Sequence, residues 1–381
     1  MGRPRQGRFR RFSSVLPSGP MKITGVHLTL FGWDDIPATR YGIHTGTFSG
    51  ASQLGLVTIE TDDGVKGHAF LGSAKRGAHL EGQSLVQYLK PIVLGQDPLA
   101  RERLYQAMWQ KNRQTTYRAI GAMDVALWDI AGQAAGLPIH RLLGSYRASV
   151  PAYSSSAVLP TKEAYAEEAT RFKAEGWTAY KIHPPTDPAV DADVCRAVRR
   201  AVGDGFTLML DPTWAYQYPE ALRVGKVIEE LGFCWYEDPL ADDDLLSYVK
   251  LKQHLAIPIL ATEYSPGGLT AYAPWLVHQA TDFLRGDVAV KGGITALVKA
   301  AHLAEAFHMN FEIHQRVANI KVVIRLIRPM RAGWGSGAGS RRPEGRAYAA
   351  GCRGARASAA ILPAVRAAGG RKDARTVGTP P

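Results

Sequence analysis

The sequence predicts an α/β protein in which an N-terminal α+β capping domain precedes a modified TIM-type (β/α) barrel whose eighth strand is not evident. Between residues 150 and 314, seven short apolar segments are separated by amphipathic helical segments. This order is typical of a parallel sheet with crossover helices, and seven units favour a barrel over a doubly wound sheet. Strand-like alternation over residues 21–71 and helical periodicity over residues 80–136 predict the separate cap.

The predicted capping domain covers residues 21–145 and begins with the alternating segment KITGVHLTLF. A hairpin follows, because LGLVTIE and VKGHAFL flank the turn Asp62-Asp63-Gly64. Helices are predicted at residues 80–92, 98–111 and 117–136. The last of them ends at Gly136, two residues before a proline, which is a common C-terminal signal.

The predicted barrel domain covers residues 146–327. Its strands are predicted at residues 150–155, 179–183, 206–212, 233–239, 258–263, 283–288 and 309–314. Helices are predicted between them, at residues 162–175, 189–202, 219–231, 242–254, 267–279 and 294–307. No strand is followed by G-x-G-x-x-G, so a dinucleotide-binding fold lacks its fingerprint.

Two basic tails flank these domains. Residues 1–20 contribute +5 and residues 316–381 contribute +12, so that the body of the chain carries −5 of the total of +12. We expect the first segment to be disordered or a mis-assigned extension ahead of Met21. Residues 328–381 are predicted to be a low-complexity basic tail, and the loss of pattern after about residue 324 is consistent with a shifted reading frame.

The composition excludes several classes of partner. The basic residues of the tails accompany no recognition helix, zinc finger or aromatic-lined basic sheet, so we expect no nucleic-acid partner. No run of 18 apolar residues is present, so we expect no membrane span. The three cysteines are widely separated and favour a reducing compartment, so we expect a cytoplasmic protein.

Three acidic residues end three successive predicted strands at intervals of 26 positions, namely Asp211, Glu237 and Glu263. In a parallel barrel this spacing places the three carboxylates side by side at the rim where barrel active sites lie. A single acid in such a position is often only the N-cap of the next helix. Three together would repel one another without a cation, and hard oxygen donors suit Mg²⁺. We therefore predict a magnesium site.

Candidate bases lie on the strands to either side of these carboxylates. Lys181 and His183 are two residues apart on the second barrel strand, so their side chains face the same way. His314 ends the seventh strand and Asp287 ends the sixth, and a carboxylate beside a histidine fixes its tautomer and raises its basicity. Either side could take a proton from the carbon next to a carboxylate while a metal stabilises the resulting anion. For His183 alone, a hydrogen-bonded rim residue is an equal alternative.

Seven motifs resemble those of the enolase superfamily, in its mandelate racemase-like subgroup. They are AMDVALWDIAG (122–132), YKIH (180–183), MLDPTW (209–214), YEDPL (236–240), ATE (261–263), GDVAVKGGIT (286–295) and EIH (312–314). The resemblance implies a capping domain over a modified barrel and one Mg²⁺ held by Asp211, Glu237 and Glu263. It also implies that Lys181 and His183 form one base site and that His314 and Asp287 form the opposite catalytic dyad.

Three positions depart from the pattern of that family. His183 replaces the usual second lysine, and Thr213 replaces a polar residue that is commonly asparagine. The glutamate that the eighth strand normally supplies has no match after His314. The resemblance implies that the loop Phe31–Gln53, with Trp33, Arg40, Tyr41 and His44, is the lid over the pocket.

The resemblance implies a metal-dependent hydro-lyase or racemase that acts on a small-molecule carboxylate. It also implies a homo-oligomer. We expect dehydration of an acid sugar to a 2-keto-3-deoxy acid through an enediolate. One alternative is a racemase or epimerase of a 2-hydroxy acid that uses the same enediolate. The other is a non-catalytic remnant that lacks the closing strand.

Overall fold

The computed structural model describes residues 20–145, 152–314 and 375–376, the last two by their backbone. The predicted N-terminal extension, the eighth strand, the possible frameshift and most of the basic tail lie outside these described residues. Among the described helices, none is both long and apolar enough to cross a membrane.

An antiparallel sheet opens the capping domain. Its strands are β1 (Ile23–Thr39), β2 (Phe48–Thr61) and β3 (Lys66–Leu71), and β2 lies in the middle. Leu28 pairs with Val57, and Val57 pairs with Ala69. All three side chains are buried, so one face of the sheet forms the core, as the alternating sequence predicts.

The cap helices cover the buried face of this sheet. A continuous helical segment consists of α1 (His79–Ser84), a π-helical turn and α2 (Lys90–Val93), and it is followed by α3 (Arg101–Trp109), α4 (Tyr117–Ala135) and α5 (Ile139–Leu142). The Thr116 hydroxyl caps α4 by accepting a hydrogen bond from Ala119 N, and Gly136 ends the helix at φ 61°. α4 lies so close to β3 that a Cβ on Gly67 would be 2.1 Å from the Ala126 carbonyl oxygen.

Seven parallel strands form the second sheet. They are β4 (Ser154–Ser155), β5 (Ala179–Ile182), β6 (Thr207–Leu210), β7 (Trp235–Glu237), β8 (Ile259–Ala261), β9 (Phe283–Gly286) and β10 (Asn310–Ile313). Each strand pairs with the next in chain order, so the described part of the chain forms a curled half-barrel. The predicted fold class of a (β/α) barrel behind an α+β cap is confirmed. A final strand, β11 (Arg375–Thr376), pairs antiparallel with β1, so a short piece of the predicted tail belongs to the capping sheet.

The connecting helices follow the predicted order. They are α6 (Lys162–Ala174), α7 (Pro188–Val202), α8 (Tyr218–Glu230), α9 (Leu245–His254), α10 (Tyr272–Val277) and α11 (Ile294–Ala306). Because every connection between neighbouring strands contains a helix, the carboxyl ends of β4 to β10 meet at one edge of the sheet.

A buried carboxylate joins the cap to the barrel. Asp124 of α4 accepts hydrogen bonds from Thr295 N at 2.9 Å and Thr295 Oγ1 at 2.6 Å, in the first turn of α11. Trp128 Nε1 also donates to Thr295 Oγ1, at 2.9 Å. A Cβ on Gly293 would lie 2.4 Å from Asp124 Oδ2, so only glycine fits beside this carboxylate. Asp124 therefore acts as a helix cap supplied by the other domain.

We expect this carboxylate to make stability depend on pH. Burial raises the pKa of Asp124 to about 7 against the opposing effect of its hydrogen bonds from Thr295. Because the folded protein then holds a proton that the unfolded chain has lost, stability falls as the pH rises from about 4 to 7. Asp124→Asn should remove this contribution, which is at most about 1.4 kcal/mol per pH unit. Urea unfolding at several pH values measures it.

The control for this measurement is Asp193→Asn, which changes an exposed carboxylate on α7. That variant should keep the pH dependence of the wild-type protein. Equal slopes of unfolding free energy against pH in Asp124→Asn and in the wild type would contradict the assignment.

Candidate active site at the strand ends

All of the predicted site residues lie at the carboxyl ends of six neighbouring strands, β5 to β10. They are Lys181, His183, Asp211, Glu237, Glu263, Asp287 and His314. Six of them are buried, whereas the His314 side chain is 30% exposed. The structure therefore brings together, at one edge, residues that span more than a hundred positions of the chain.

Lys181 links two of the predicted metal ligands. Its Nζ donates to Asp211 Oδ2 at 2.7 Å and to Glu237 Oε1 at 2.8 Å. Burial alone would lower the pKa of Lys181, but the charges of Asp211 and Glu237 raise it above its ordinary value. Burial would likewise raise the pKa of Asp211, yet Lys181 and His183 hold it well below its usual range. Lys181 is therefore an ammonium ion beside the ionised Asp211 carboxylate.

Hydrogen bonds orient the ring of His183. Its Nδ1 lies 2.7 Å from the Ser156 carbonyl oxygen, and its Nε2 lies 3.1 Å from Asp211 Oδ2. Because a carbonyl oxygen can only accept, Nδ1 carries a hydrogen. Nε2 is consequently the nitrogen that faces the carboxylates.

His314 and Asp287 form the predicted pair. His314 Nδ1 lies 2.6 Å from Asp287 Oδ2 and 3.3 Å from Glu263 Oε1. Asp287 Oδ1 accepts a hydrogen bond from Ala289 N at 2.6 Å, which fixes the carboxylate. With Nδ1 bound to carboxylates, Nε2 of His314 is the nitrogen left for chemistry.

The sequence reasoning missed Arg285, which lies among the carboxylates. Its side chain is on β9, is 2% exposed and places Nε 3.0 Å from both Glu237 Oε1 and Glu263 Oε2. Burial would lower the pKa of Arg285, but the charge of Glu237 and the neighbouring groups raise it well above its ordinary value. One signal was available, because Arg285 stands two residues before Asp287 on an apolar strand and so shares its face.

The donor set suits a hard divalent cation. Among the described residues, ligand atoms come within 4.8 Å of one another in two groups that share Glu263: Glu237, Asp238 and Glu263, and Glu263, Asp287 and His314. Asp211 belongs to neither group, and its Oδ2 lies 2.7 Å from Lys181 Nζ and 3.1 Å from His183 Nε2. Asp238 Oδ1 is buried and has no hydrogen-bond partner within the described part of the chain. Clustered carboxylate oxygens of this kind fit Mg²⁺.

Comparison with known proteins identifies the family. Residues 35–144 match the N-terminal domain of mandelate racemase and muconate lactonizing enzyme, and residues 164–328 match the enolase C-terminal domain-like family. A D-galactarolactone cycloisomerase from Agrobacterium fabrum is 32% identical over 262 residues, which are 65% of this chain and 67% of that protein. The chain belongs to the mandelate racemase and muconate lactonizing enzyme family of the enolase superfamily.

Other members of the family are similar over most of the chain. L-talarate/galactarate dehydratase from Salmonella typhimurium is 28% identical over 298 residues, which are 73% of each protein. The crystal structure of D-glucarate dehydratase from Agrobacterium tumefaciens, complexed with magnesium, superposes with a TM-score of 0.74 at 32% identity. The match covers 82% of this chain and 85% of that one. The family predicted from the motifs is therefore confirmed.

The loop of the predicted lid is shorter than the sequence suggests. Pairs such as Trp33–Ser52 and Ile36–Gly50 extend the β1–β2 ladder, so only residues 40–47 connect the two strands. The prediction of a loop from Phe31 to Gln53 is corrected to a long hairpin with this tip. Its glycines indicated a loop, but main-chain pairing across the hairpin outweighs their weak strand propensity.

The tip of the lid contacts two of the three departures from the family pattern, His183 and Thr213. The Tyr41 ring packs edge-on against the His183 ring at a centroid distance of 5.0 Å. The Thr213 hydroxyl donates to the Tyr41 carbonyl oxygen at 3.1 Å, and Thr213 N donates to Asp211 Oδ1 at 2.9 Å. The His44 ring stacks on Trp214. The lid is thus linked to Asp211 through residues that replace the usual lysine and asparagine.

Proposed function

We propose that the chain is a Mg²⁺-dependent hydro-lyase that dehydrates an acid sugar to a 2-keto-3-deoxy acid. The observation that carries the proposal is the order of groups along the strand ends. The buried carboxylates of β6 to β8 lie between Lys181 and His183 on β5 and the His314–Asp287 pair, which follows β10 and β9. Dehydration needs one group that takes a proton and another that gives one.

The metal ligands in this proposal are Asp211, Glu237 and Glu263. All three carboxylates are buried and end neighbouring strands, as a shared cation requires. When bound, Mg²⁺ supplies the positive charge that stabilises the negative charge developing on the substrate carboxylate. The named relatives support this cofactor, because L-talarate dehydratase from a Polaromonas species, 26% identical with a TM-score of 0.72, was crystallised with Mg and L-glucarate.

His314 is the proposed base. Asp287 holds the proton on Nδ1, so Nε2 accepts the proton from the carbon next to the substrate carboxylate. The bond from the β-carbon to its hydroxyl then breaks. Lys181 Nζ or His183 Nε2, on the other side, gives the proton with which that hydroxyl leaves as water. The enol that remains tautomerises to the 2-keto-3-deoxy acid.

The names of the relatives support this class of reaction. Arabinonate dehydratase from Saccharolobus solfataricus is 28% identical over 284 residues and covers 70% of this chain and 73% of that protein. A racemase from Streptomyces coelicolor, 26% identical with a TM-score of 0.74, keeps racemisation as the second candidate. The homo-oligomer, the cytoplasmic location and the lack of nucleic-acid and membrane partners stay predictions from the sequence.

The test incubates the full chain with Mg²⁺ and a panel of aldonic and aldaric acids in D₂O. Proton NMR follows loss of the α-proton, and semicarbazide detects 2-keto-3-deoxy acids. We expect such a keto acid from at least one sugar acid and none when EDTA removes the metal. Recovery of deuterated substrate with an inverted α-carbon would instead establish a racemase or epimerase. No exchange with any substrate would contradict the proposal and favour the non-catalytic remnant.

A further inference from the structure

Arg285 is a permanent cation enclosed among the proposed metal ligands. The same Nε lies 3.0 Å from an oxygen of Glu237 and 3.0 Å from an oxygen of Glu263, and Nη1 donates to Tyr153 Oη at 3.1 Å. Both carboxylates are at least 90% buried. One guanidinium therefore joins two acids from neighbouring strands.

Two cations and one hydrogen-bond donor of the protein surround the Glu237 carboxylate. Its Oε1 accepts a hydrogen bond from Lys181 Nζ at 2.8 Å and forms a salt bridge with Arg285 Nε at 3.0 Å. Its Oε2 accepts a hydrogen bond from Trp235 Nε1 at 3.1 Å. Buried carboxylates this close would repel one another strongly without such cations. Arg285 can therefore offset the repulsion before any metal binds.

We propose that Arg285 is an internal counter-charge that holds Glu237 and Glu263 in place without metal and lowers the affinity of the site for Mg²⁺. It is a positioning residue, because it acts through the two carboxylates. The proposal rests on the proposed magnesium site. A fixed positive charge beside the ligands stabilises the metal-free protein and repels the incoming cation. Removing the charge should therefore lower the stability of the metal-free protein and raise the affinity for Mg²⁺.

The test compares Arg285→Gln with a matched buried arginine. Arg199 is 7% exposed, and its guanidinium donates to the main-chain carbonyls of Leu231, Gly203 and Phe206. Arg199→Gln therefore removes a buried cation that contacts no metal ligand. The melting temperature in EDTA and the Kd of Mg²⁺ by titration calorimetry are measured for the full chain in both variants.

We expect Arg285→Gln to melt about 5–10 °C lower than the wild type in EDTA. We also expect it to bind Mg²⁺ about tenfold more tightly, so that Mg²⁺ restores much of the loss. Arg199→Gln should lower the melting temperature and leave the Kd unchanged. Arg285→Lys keeps the charge and should bind Mg²⁺ within about threefold of the wild type.

Several outcomes would overturn this inference. An unchanged or weaker Mg²⁺ affinity in Arg285→Gln would show that the charge does not oppose the metal. If Arg285→Gln does not fold, a tenfold change of the Mg²⁺ Kd in Arg285→Lys, which keeps the charge, would also contradict the inference. In those cases the wild type still binds Mg²⁺ and the proposed function stands. A wild type that binds no Mg²⁺ would overturn both.

Discussion

Replacing His314 with Asn lowers the rate of α-proton exchange by about 10²- to 10⁴-fold if the imidazole is the base. Asparagine keeps a polar side chain near Asp287 but cannot accept a proton at neutral pH. His314 Nδ1 lies 2.6 Å from Asp287 Oδ2, and the His314 side chain is 30% exposed. The measurement is the loss of the α-proton signal in D₂O, at saturating Mg²⁺ and with a substrate found by the panel.

The matched control is His302→Asn, because His302 is an exposed histidine on α11. It should exchange the α-proton at the rate of the wild type. Melting in EDTA and in Mg²⁺ establishes that both variants are folded. Full exchange in His314→Asn would place the base on the other side of the site, at Lys181 or His183.

Replacing Gly42 with Ala should displace the lid and lower kcat/KM by about 10- to 100-fold. A Cβ at this position would lie 1.7 Å from Thr213 Oγ1, which bonds the Tyr41 carbonyl oxygen. The backbone of Gly42 is outside the left-handed region, so alanine itself causes no strain. The loss should therefore come from the clash, which moves Tyr41 away from His183. Steady-state kinetics and limited proteolysis of the lid measure the effect.

Two comparisons isolate this clash. Gly32→Ala changes the same hairpin where no atom lies within 4 Å, so it should leave kcat/KM unaltered. In a Thr213→Gly background the clashing hydroxyl is absent, and glycine suits the φ of 52° at that position. In that background, Gly42→Ala should lower kcat/KM only slightly. An equal loss in both backgrounds would rule out Thr213 as the cause.

The sequence could place the candidate site residues at one edge of the sheet because that placement follows from a local rule. In a parallel sheet with helical crossovers, the residue that ends each strand lies at one rim. The acids Asp211, Glu237 and Glu263 could therefore be assigned to one edge from their spacing alone. The pairing of Asp287 with His314 followed from the same rule, since the two strands are neighbours in the chain and in the sheet.

Contacts that depend on the packing of distant segments were not predictable. Tyr41 and Thr213 are 172 residues apart, and Asp124 and Thr295 are 171 apart. No periodicity relates such positions, because each contact is set by the way the cap rests on the barrel. The length of the β1–β2 hairpin could not be predicted for a related reason. Each of the two segments has a weak strand propensity by itself, and their strand structure depends on main-chain pairing with the other segment.

The sequence by itself determined the fold class and the strand ends at which the chemistry is proposed, because strand period and crossover spacing are local properties. The family followed from the resemblance of its motifs. Only the tertiary structure decided which charges face one another inside the half-barrel. The sequence shows Arg285 only as a residue within an apolar strand, whereas in the structure it bridges Glu237 and Glu263. The energy of a buried charge depends on the partners within a few ångströms, and those partners come from different strands.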